Sequence, residues 1–256
     1  MNHKPCLNCG RSVYENYCGH CGQKISTKRL DWHYLWHDIP HSVLHLDKGF
    51  WPTLIGMLSK PGVVVREYLD GKRAKYFRPL TYLLILGTIA GIIYLKVPIY
   101  QDMANDTETS EFMSVYQELN SKYFNLFTSA LIPLQALLLW FFFKRERNFV
   151  EITTALFFIV GTSSLVSVFM LLYFINASFN MIMILGLITF LLTTLYQTWA
   201  ITKMFVTRNM IVRIVASLFS VLITTAVTSV VAFMVALFYM MITKGVDHVN
   251  IDLGNR

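Results

Sequence analysis

The chain has 256 residues, of which 55% are hydrophobic and only 14% are charged, and its net charge is +7. Soluble domains contain about 25% charged residues, so this chain has too few charges to cover a water-facing surface. The mean hydropathy of +0.49 also excludes an ordinary soluble enzyme and an intrinsically disordered protein. An all-α integral membrane protein is the class that remains.

All four cysteines lie at the start of the chain, in two Cys-x-x-Cys-Gly motifs formed by Cys6, Cys9, Cys18 and Cys21. Four thiolates arranged in this way suit tetrahedral Zn²⁺ better than a redox dithiol or an iron–sulfur cluster. The segment is too short to form an apolar core, so the metal must supply most of its folding energy. We therefore predict a structural zinc site, which leaves no open coordination position for catalysis.

The predicted zinc ribbon occupies residues 1–27 and is typical of modules that hold a short hairpin for contact with a partner. A protein is the partner that we expect. Nucleic acid is disfavoured because the ribbon has modest charge and offers only Tyr14 and Tyr17 for base stacking.

Residues 28–78 are predicted to form cytosolic interfacial helices. Residues 31–46 have an amphipathic pattern with an apolar face that includes Trp32 and Trp36, as in helices that lie in the headgroup layer. The opposite face carries a histidine ladder, defined as His33, His37, His41 and His45. The ladder is interpreted either as a water-facing polar stripe, which we favour, or as a metal or pH sensor. Pro61 and Gly71 then predict the start and the stop of a further short helix.

Charged residues are absent from four stretches of the chain, at 79–95, 123–143, 152–202 and 214–243. A charge at the bilayer centre costs about 2.5–3.5 kcal/mol, and a span needs roughly 20 apolar residues. The third stretch is long enough for two helices, divided at residues 176–180. The sequence thus predicts a five-span bundle over residues 79–243, with spans at 79–98, 124–143, 150–175, 180–203 and 213–243, and an outer tail at 244–256.

The basic residues predict the orientation of this bundle. Eighteen of the 22 Lys and Arg residues lie in segments 1–79, 144–147 and 203–213, which share one side of the membrane in a five-span topology. The positive-inside rule places the N-terminus in the cytosol and the C-terminus outside. A cytosolic location also keeps the four cysteines reduced, and the polar first 30 residues predict no signal peptide.

Three polar residues in the predicted spans are candidates for function, namely Gln135, Glu151 and Gln197. Glu151 lies four residues from Arg147, and we expect the two side chains to pair at the membrane interface. Small-residue patches at 161–164 and 224–229 favour helix packing over a substrate path. Gly87 and Gly91 have the spacing that permits close approach of another helix, including one from a second copy of the chain.

The first 95 residues carry motifs in a recognisable order: the CxxCG…CxxCGQ ribbon, Asp47-Lys-Gly-Phe50, Lys60-Pro-Gly62, Glu67-Tyr-Leu-Asp-Gly-Lys-Arg73 and Tyr76-Phe-Arg-Pro79. This order resembles the uncharacterised bacterial membrane family called domain of unknown function 3667. The resemblance implies a multi-pass protein of the bacterial inner membrane with a cytosolic zinc ribbon, and it supplies no established activity. It singles out Gly71, Lys72, Arg73 and Pro79 as candidates for any shared function.

Motifs that carry catalysis, such as paired carboxylates, a nucleophile elbow or a phosphate loop, do not occur in the sequence. We therefore expect a non-enzymatic scaffold or regulator whose zinc ribbon docks a partner. One alternative is a small-solute or lipid transporter with a path near Gln135 and Gln197. Another is a zinc or pH sensor that acts through the histidine ladder.

Overall fold

The computed structural model describes residues 4–27, 29–31, 49–96, 112, 115–116, 118–120, 122–171 and 179–254. Two short strands, β1 (Lys4–Pro5) and β2 (Ser12–Val13), form an antiparallel hairpin at the N-terminus. Eight helices follow within the described residues: α1 (Phe50–Ser59), α2 (Pro61–Leu69), α3 (Pro79–Lys96), α4 (Phe124–Ala130), α5 (Ile132–Phe143), α6 (Phe149–Leu171), α7 (Phe179–Met204) and α8 (Met210–Gly254). The predicted amphipathic helix at 31–46 lies almost entirely outside the described residues.

Helices α1 and α2 form a tight hairpin in which Lys60 is the single connecting residue. Pro61 begins α2, as the sequence predicts, because its fixed φ suits the first helical position and its missing N–H is not needed there. Gly62 has no room for a side chain, since a Cβ built there would lie 2.6 Å from the carbonyl carbon of Lys203. Arg66 reaches across the same contact and donates a hydrogen bond to the Lys203 carbonyl. The hairpin of α1 and α2 is thus fixed to the end of α7.

Helix α6 lies at the centre of the helical bundle. Of its apolar segment Phe149–Val168, 78% is buried, against 17% and 22% for the corresponding segments of α7 and α8. It packs most extensively against α3 and also contacts α5 and α7. Gly161 permits the close approach of α3, because a Cβ at this position would lie 3.1 Å from Leu83 Cα. This contact agrees with the packing role predicted for the patch at 161–164.

Three helices in the described part of the chain are long and apolar enough to cross a membrane, over Phe149–Val168, Ile184–Met204 and Met210–Thr243. Helices α3 and α5 are apolar but shorter. The second predicted span, 124–143, is divided at Leu131 because Pro133 lies in the first turn of the new helix α5. The separate outer tail that the sequence predicts at 244–256 is instead a continuation of α8, which ends at Gly254. No proline interrupts this last segment, and a single glycine does not end a helix.

Three of the described connections between helices meet at one end of the bundle. The Glu146 carboxylate accepts hydrogen bonds from the backbone N–H of Val206 at 2.7 Å and from the Thr207 hydroxyl at 2.6 Å. Arg147 donates to Asp70 at 2.9 Å. The loop before α6 therefore joins both the turn after α2 and the connection between α7 and α8.

Candidate metal centre and its docking surface

The four cysteine sulfurs converge within the N-terminal hairpin. The Sγ atoms of Cys6, Cys9, Cys18 and Cys21 all lie within 4.8 Å of one another. The closest distances join the two motifs, with 3.6 Å between Cys6 and Cys21 and 3.6 Å between Cys9 and Cys18. A disulfide would require about 2.05 Å, so all four are free thiols. The predicted ligand set is thus brought together in an arrangement that can hold a metal ion.

The two cysteine motifs have the same backbone conformation. In each, the first cysteine donates its N–H to the carbonyl five residues later, and its own carbonyl accepts from the glycine four residues later. These bonds measure 2.8–2.9 Å and involve Cys6, Gly10 and Arg11 in the first motif and Cys18, Gly22 and Gln23 in the second. Gly10 and Gly22 have φ angles of +75° and +72°. Only glycine adopts this conformation without strain, which explains its place after each Cys-x-x-Cys.

Backbone N–H groups of the second motif surround the Cys18 sulfur. The backbone N–H groups of Cys21 and His20 donate to the Cys18 sulfur and lower the pKa of Cys18 to about 6. The donors point toward the sulfur because the chain turns tightly around it. A thiolate is the form that coordinates a metal, and these backbone donors stabilise it at Cys18.

The N-terminal hairpin, which is the segment predicted as a zinc ribbon, is attached to the helical bundle through Gln23. Its Nε2 donates to the carbonyl of Gly71 at 2.6 Å and to the Thr27 hydroxyl at 3.0 Å, and its Oε1 accepts the backbone N–H of Ala74 at 2.8 Å. Gln23 is 4% exposed, so these bonds are shielded from water. The candidate residues Gly71, Lys72 and Arg73 thus lie in the turn on which the hairpin docks.

Gly71 is required by its backbone conformation. Its φ of +107° lies in the region that favours glycine. A Cβ at this position would lie 2.8 Å from Leu7 Cδ1 and 3.7 Å from Thr27 Cγ2, both of which belong to the hairpin. The hairpin therefore packs directly onto a backbone that carries no side chain.

We expect Gly71→Ala to loosen the attachment of the hairpin. The strained φ should cost about 1–3 kcal/mol, and the exposed Leu7 side chain would have to move aside. Hydrogen exchange of the Ala74 amide, which Gln23 protects, measures the effect. Gly19→Ala is the matched control, because Gly19 lies in the same hairpin, has no positive φ and has open space at its Cβ. Equal protection of Ala74 in both variants would contradict the role given to Gly71.

Lys72 belongs to a charged cluster around Glu67. The Glu67 carboxylate accepts hydrogen bonds from Lys72 and Lys75, each at 2.8 Å, and a further one from the Tyr76 hydroxyl. These donors stabilise the ionised form and lower the pKa of Glu67 to about 2, with Lys72 the largest cause. The cluster closes the 67–76 segment into a loop.

This cluster should make the 67–76 segment less stable in acid. Because the pKa of Glu67 is depressed, its stabilising effect is present above pH 4.5 and is lost as the pH falls toward 2. We expect a loss of no more than about 1 kcal/mol, since the pair is partly exposed and screened by salt. The protection factors of this segment, which are corrected for the intrinsic pH dependence of amide exchange, should fall toward low pH in the wild type and much less in Glu67→Gln. The control is Glu15→Gln, which removes an exposed carboxylate from the hairpin.

The other residues of the recognised motifs support the entry into the bundle. The Arg73 guanidinium lies 6.0 Å from the centre of the Tyr68 ring. Pro79 is buried and begins α3. The Thr53 hydroxyl donates to the Gly49 carbonyl at 2.7 Å and accepts the backbone N–H of Phe77 at 2.8 Å. Arg73, Pro79 and Thr53 thus have structural roles at the entry into the bundle.

Glu151 does not pair with Arg147 as the sequence suggests. Its carboxylate, 2% exposed, accepts two hydrogen bonds of 2.8 Å from Arg29, and Arg147 pairs with Asp70 instead. The reason is helix capping: Asn148 and Glu151 exchange backbone and side-chain hydrogen bonds of 2.8 and 2.9 Å at the start of α6. This capping box turns the carboxylate toward the chain that leaves the hairpin.

The remaining candidates are not brought to one place. Gln197 donates to the Ser163 hydroxyl at 3.0 Å and so joins α7 to α6. Gln135 is 3% exposed on α5, and its Nε2 has no hydrogen-bond partner among the described residues. The histidine ladder lies outside the described residues.

Sequence reasoning missed several residues of the docking surface. Gln23 is the last residue of the CxxCGQ motif, yet no local pattern indicates what its side chain contacts. The spacing Asn148-x-x-Glu151 was a readable signal, because it matches a capping box before an apolar run. No local sequence pattern indicates that Arg29 pairs with Glu151.

Residues 47–91 match the model of a family described as "Protein of unknown function (DUF3667)". The match extends from the turn before α1 into α3 and includes Gly71, Lys72, Arg73 and Pro79. It confirms the resemblance inferred from the motifs. No curated protein and no solved structure matches the chain.

Proposed function

We propose that the protein is a non-enzymatic scaffold or regulator of the bacterial inner membrane, with a structural zinc ribbon that caps the cytosolic end of its bundle. The observation that carries this proposal is the continuous hydrogen bonding from the cysteine motif through Gln23 to Gly71 and Ala74. The ribbon is thereby part of the membrane domain's surface and not a module on a loose tether.

Zinc is the metal that the donor set fits best. Four thiolates at about 2.3 Å from Zn²⁺ form a tetrahedron with edges of about 3.8 Å. The distances of 3.6 Å between Cys6 and Cys21 and between Cys9 and Cys18 are close to this value. When bound, the metal supplies the cross-link that holds a very small domain together. All four positions are filled by protein, which supports a structural role.

The arrangement of the loops supports the proposed five-span topology with a cytosolic N-terminus. Glu146 binds the connection after α7, and Arg147 binds the turn after α2. Segments 1–79, 144–147 and 203–213, which the basic residues assign to the inside, are therefore connected at one end of the bundle. In this topology α3 and the divided pair α4–α5 cross the membrane together with the three longer helices.

A partner surface follows from the docked position of the ribbon. Leu7 and Gln23 face the bundle, whereas Tyr14 and Tyr17 are 75% and 57% exposed. Aromatic side chains of this kind are enriched in protein interfaces. We place the partner on this aromatic side of the ribbon.

The transporter alternative has less support. Gln197 joins two helices through Ser163, and small residues at 161–164 are used for packing. The sensor alternative depends on the histidine ladder and stays a prediction.

The test uses the full chain purified from its native membrane in mild detergent. Proteins recovered with the wild type are purified and tested for direct binding to the wild type and to a Tyr14→Ser/Tyr17→Ser double variant. We expect binding to be lost in the double variant and retained in Asn16→Ser, an exposed residue of the same loop. A partner that binds equally well to the double variant would contradict the assigned surface. Solute flux in reconstituted vesicles would instead favour a transporter.

A further inference from the structure

A cleft opens where the ribbon meets the bundle. It has a volume of about 430 Å³ and is lined by the ribbon residues Leu7 and Thr27, by the turn after α2, and by the loop before α6. Five of the residues that line it are ionisable, namely Arg29, Asp70, Glu146, Arg147 and Glu151. Ionisable residues thus make up most of the polar lining of the cleft.

The carboxylates in the cleft already have donors. Glu151 is held by Arg29 and the Asn148 backbone, and Glu146 by the backbone and hydroxyl of Thr207 and the N–H of Val206. A further cation would have to displace these donors. The acidic residues are therefore poor ligands for an incoming group.

The two guanidinium groups have hydrogen-bonding capacity left. Each arginine carries five N–H donors. Arg29 uses Nε and Nη2 on Glu151, and Arg147 uses Nη2 on Asp70. The side chain of Arg29 is 64% exposed. Asp70 is 59% exposed and can release Arg147 at little cost. The lining carries two guanidinium groups and three carboxylates. Because each carboxylate already accepts from a donor, the unused N–H groups of the two arginines are the hydrogen-bonding capacity that remains, and an anion would take the place of Asp70 on Arg147.

The surroundings favour a phosphate as the anion. The cleft lies beside the start of α6, whose segment Phe149–Val168 is apolar enough to span a membrane. In the proposed topology this depth is the headgroup layer, where phosphates are concentrated. The planar guanidinium also matches phosphate oxygens in a two-pronged bond.

We propose that this cleft binds a phosphate group through Arg29 and Arg147, supplied by a phospholipid headgroup or by a soluble phosphate. The size of the cleft admits a headgroup with its glycerol. Because ribbon residues form one wall, the site exists only when the ribbon is docked.

The experiment measures binding to the full-length protein in uncharged detergent. The probes are short-chain phosphatidylglycerol, inorganic phosphate and acetate, each followed by calorimetry. Binding of phosphatidylglycerol alone identifies a headgroup site, and binding of inorganic phosphate identifies a soluble ligand; either result supports the proposal. Binding of acetate as tight as phosphate, or binding of no probe, overturns it.

Variants locate the site. Arg147→Gln should weaken binding about tenfold, since it removes charge-assisted hydrogen bonds. Arg145→Gln is the matched control, because it removes the same charge from the same loop outside the cleft lining, and its affinity should stay within about twofold of the wild type. Asp70→Asn should strengthen binding, because it frees Arg147 from its ion pair, and a folding defect cannot mimic this gain. Equal effects of Arg147→Gln and Arg145→Gln, or weaker binding by Asp70→Asn, would overturn the proposal.

Discussion

Replacing Cys18 with serine is expected to unfold the ribbon and to leave the helical bundle folded. If the proposed zinc site is correct, the metal content should fall from about one Zn²⁺ per chain to nearly none, since structural zinc contributes about 10–16 kcal/mol in comparable small domains. Without the metal, the buried side chains of Cys6, Val13 and Cys18 form a core too small to hold the hairpin. Hydrogen exchange should therefore show loss of protection throughout residues 4–27.

A second consequence of Cys18→Ser should appear in the bundle itself. The Ala74 amide donates to Gln23, so its protection should be lost together with that of the ribbon. Amides inside α6, by contrast, should keep theirs, because this helix is buried among α3, α5 and α7. The Ala74 amide is thus a reporter for the docking of the ribbon.

His20→Ser is the matched control for this experiment. His20 lies between Cys18 and Cys21, and its side chain is exposed. Its backbone N–H, which donates to the Cys18 sulfur, remains in the serine variant. Metal content and protection should be unchanged. A Cys18→Ser protein that keeps its zinc and a folded ribbon would show that the four-cysteine site is not the metal centre.

Local chemistry made the cysteine motifs predictable. A ligand set within 16 consecutive residues is determined by the spacing of cysteines and glycines, so its convergence needs no knowledge of the rest of the fold. The starts of α2 and α3 were predictable for the same reason, because Pro61 and Pro79 restrict their own backbone. The capping box of α6 had an equally local pattern.

The docking surface was not predictable, because its partners are far apart in the chain. Gln23 and Gly71 are separated by 48 positions, and Arg29 and Glu151 by 122. No periodicity or spacing connects such pairs in a single sequence. The proximity of Glu151 to Arg147 along the chain instead suggested a pair that capping geometry prevents. The break within the second predicted span was more local, because Pro133 by itself predicts a kink there.

Replacing Arg29 with glutamine is expected to destabilise the start of α6 more than replacing its partner. Arg29→Gln leaves a carboxylate that is 2% exposed without its cation. The loss of stability should be about 2–3 kcal/mol, which is below the usual cost of breaking a buried ion pair because water reaches the Arg29 side. Glu151→Gln should cost less than about 1 kcal/mol, since an amide still completes the capping box and the exposed Arg29 is solvated by water. Hydrogen exchange of the first turns of α6 measures both effects.

The double variant Arg29→Gln/Glu151→Gln separates charge burial from loss of contact. If the penalty arises from an uncompensated carboxylate, the double variant should be as stable as Glu151→Gln alone and more stable than Arg29→Gln. Arg11→Gln, which removes an exposed charge from the ribbon, controls for the change in net charge and should have no effect on α6. A double variant as unstable as Arg29→Gln would instead assign the stability to packing of the arginine side chain. If Glu151→Gln restores the stability that Arg29→Gln removes, the role of Arg29 is to neutralise the buried Glu151 carboxylate at the start of α6.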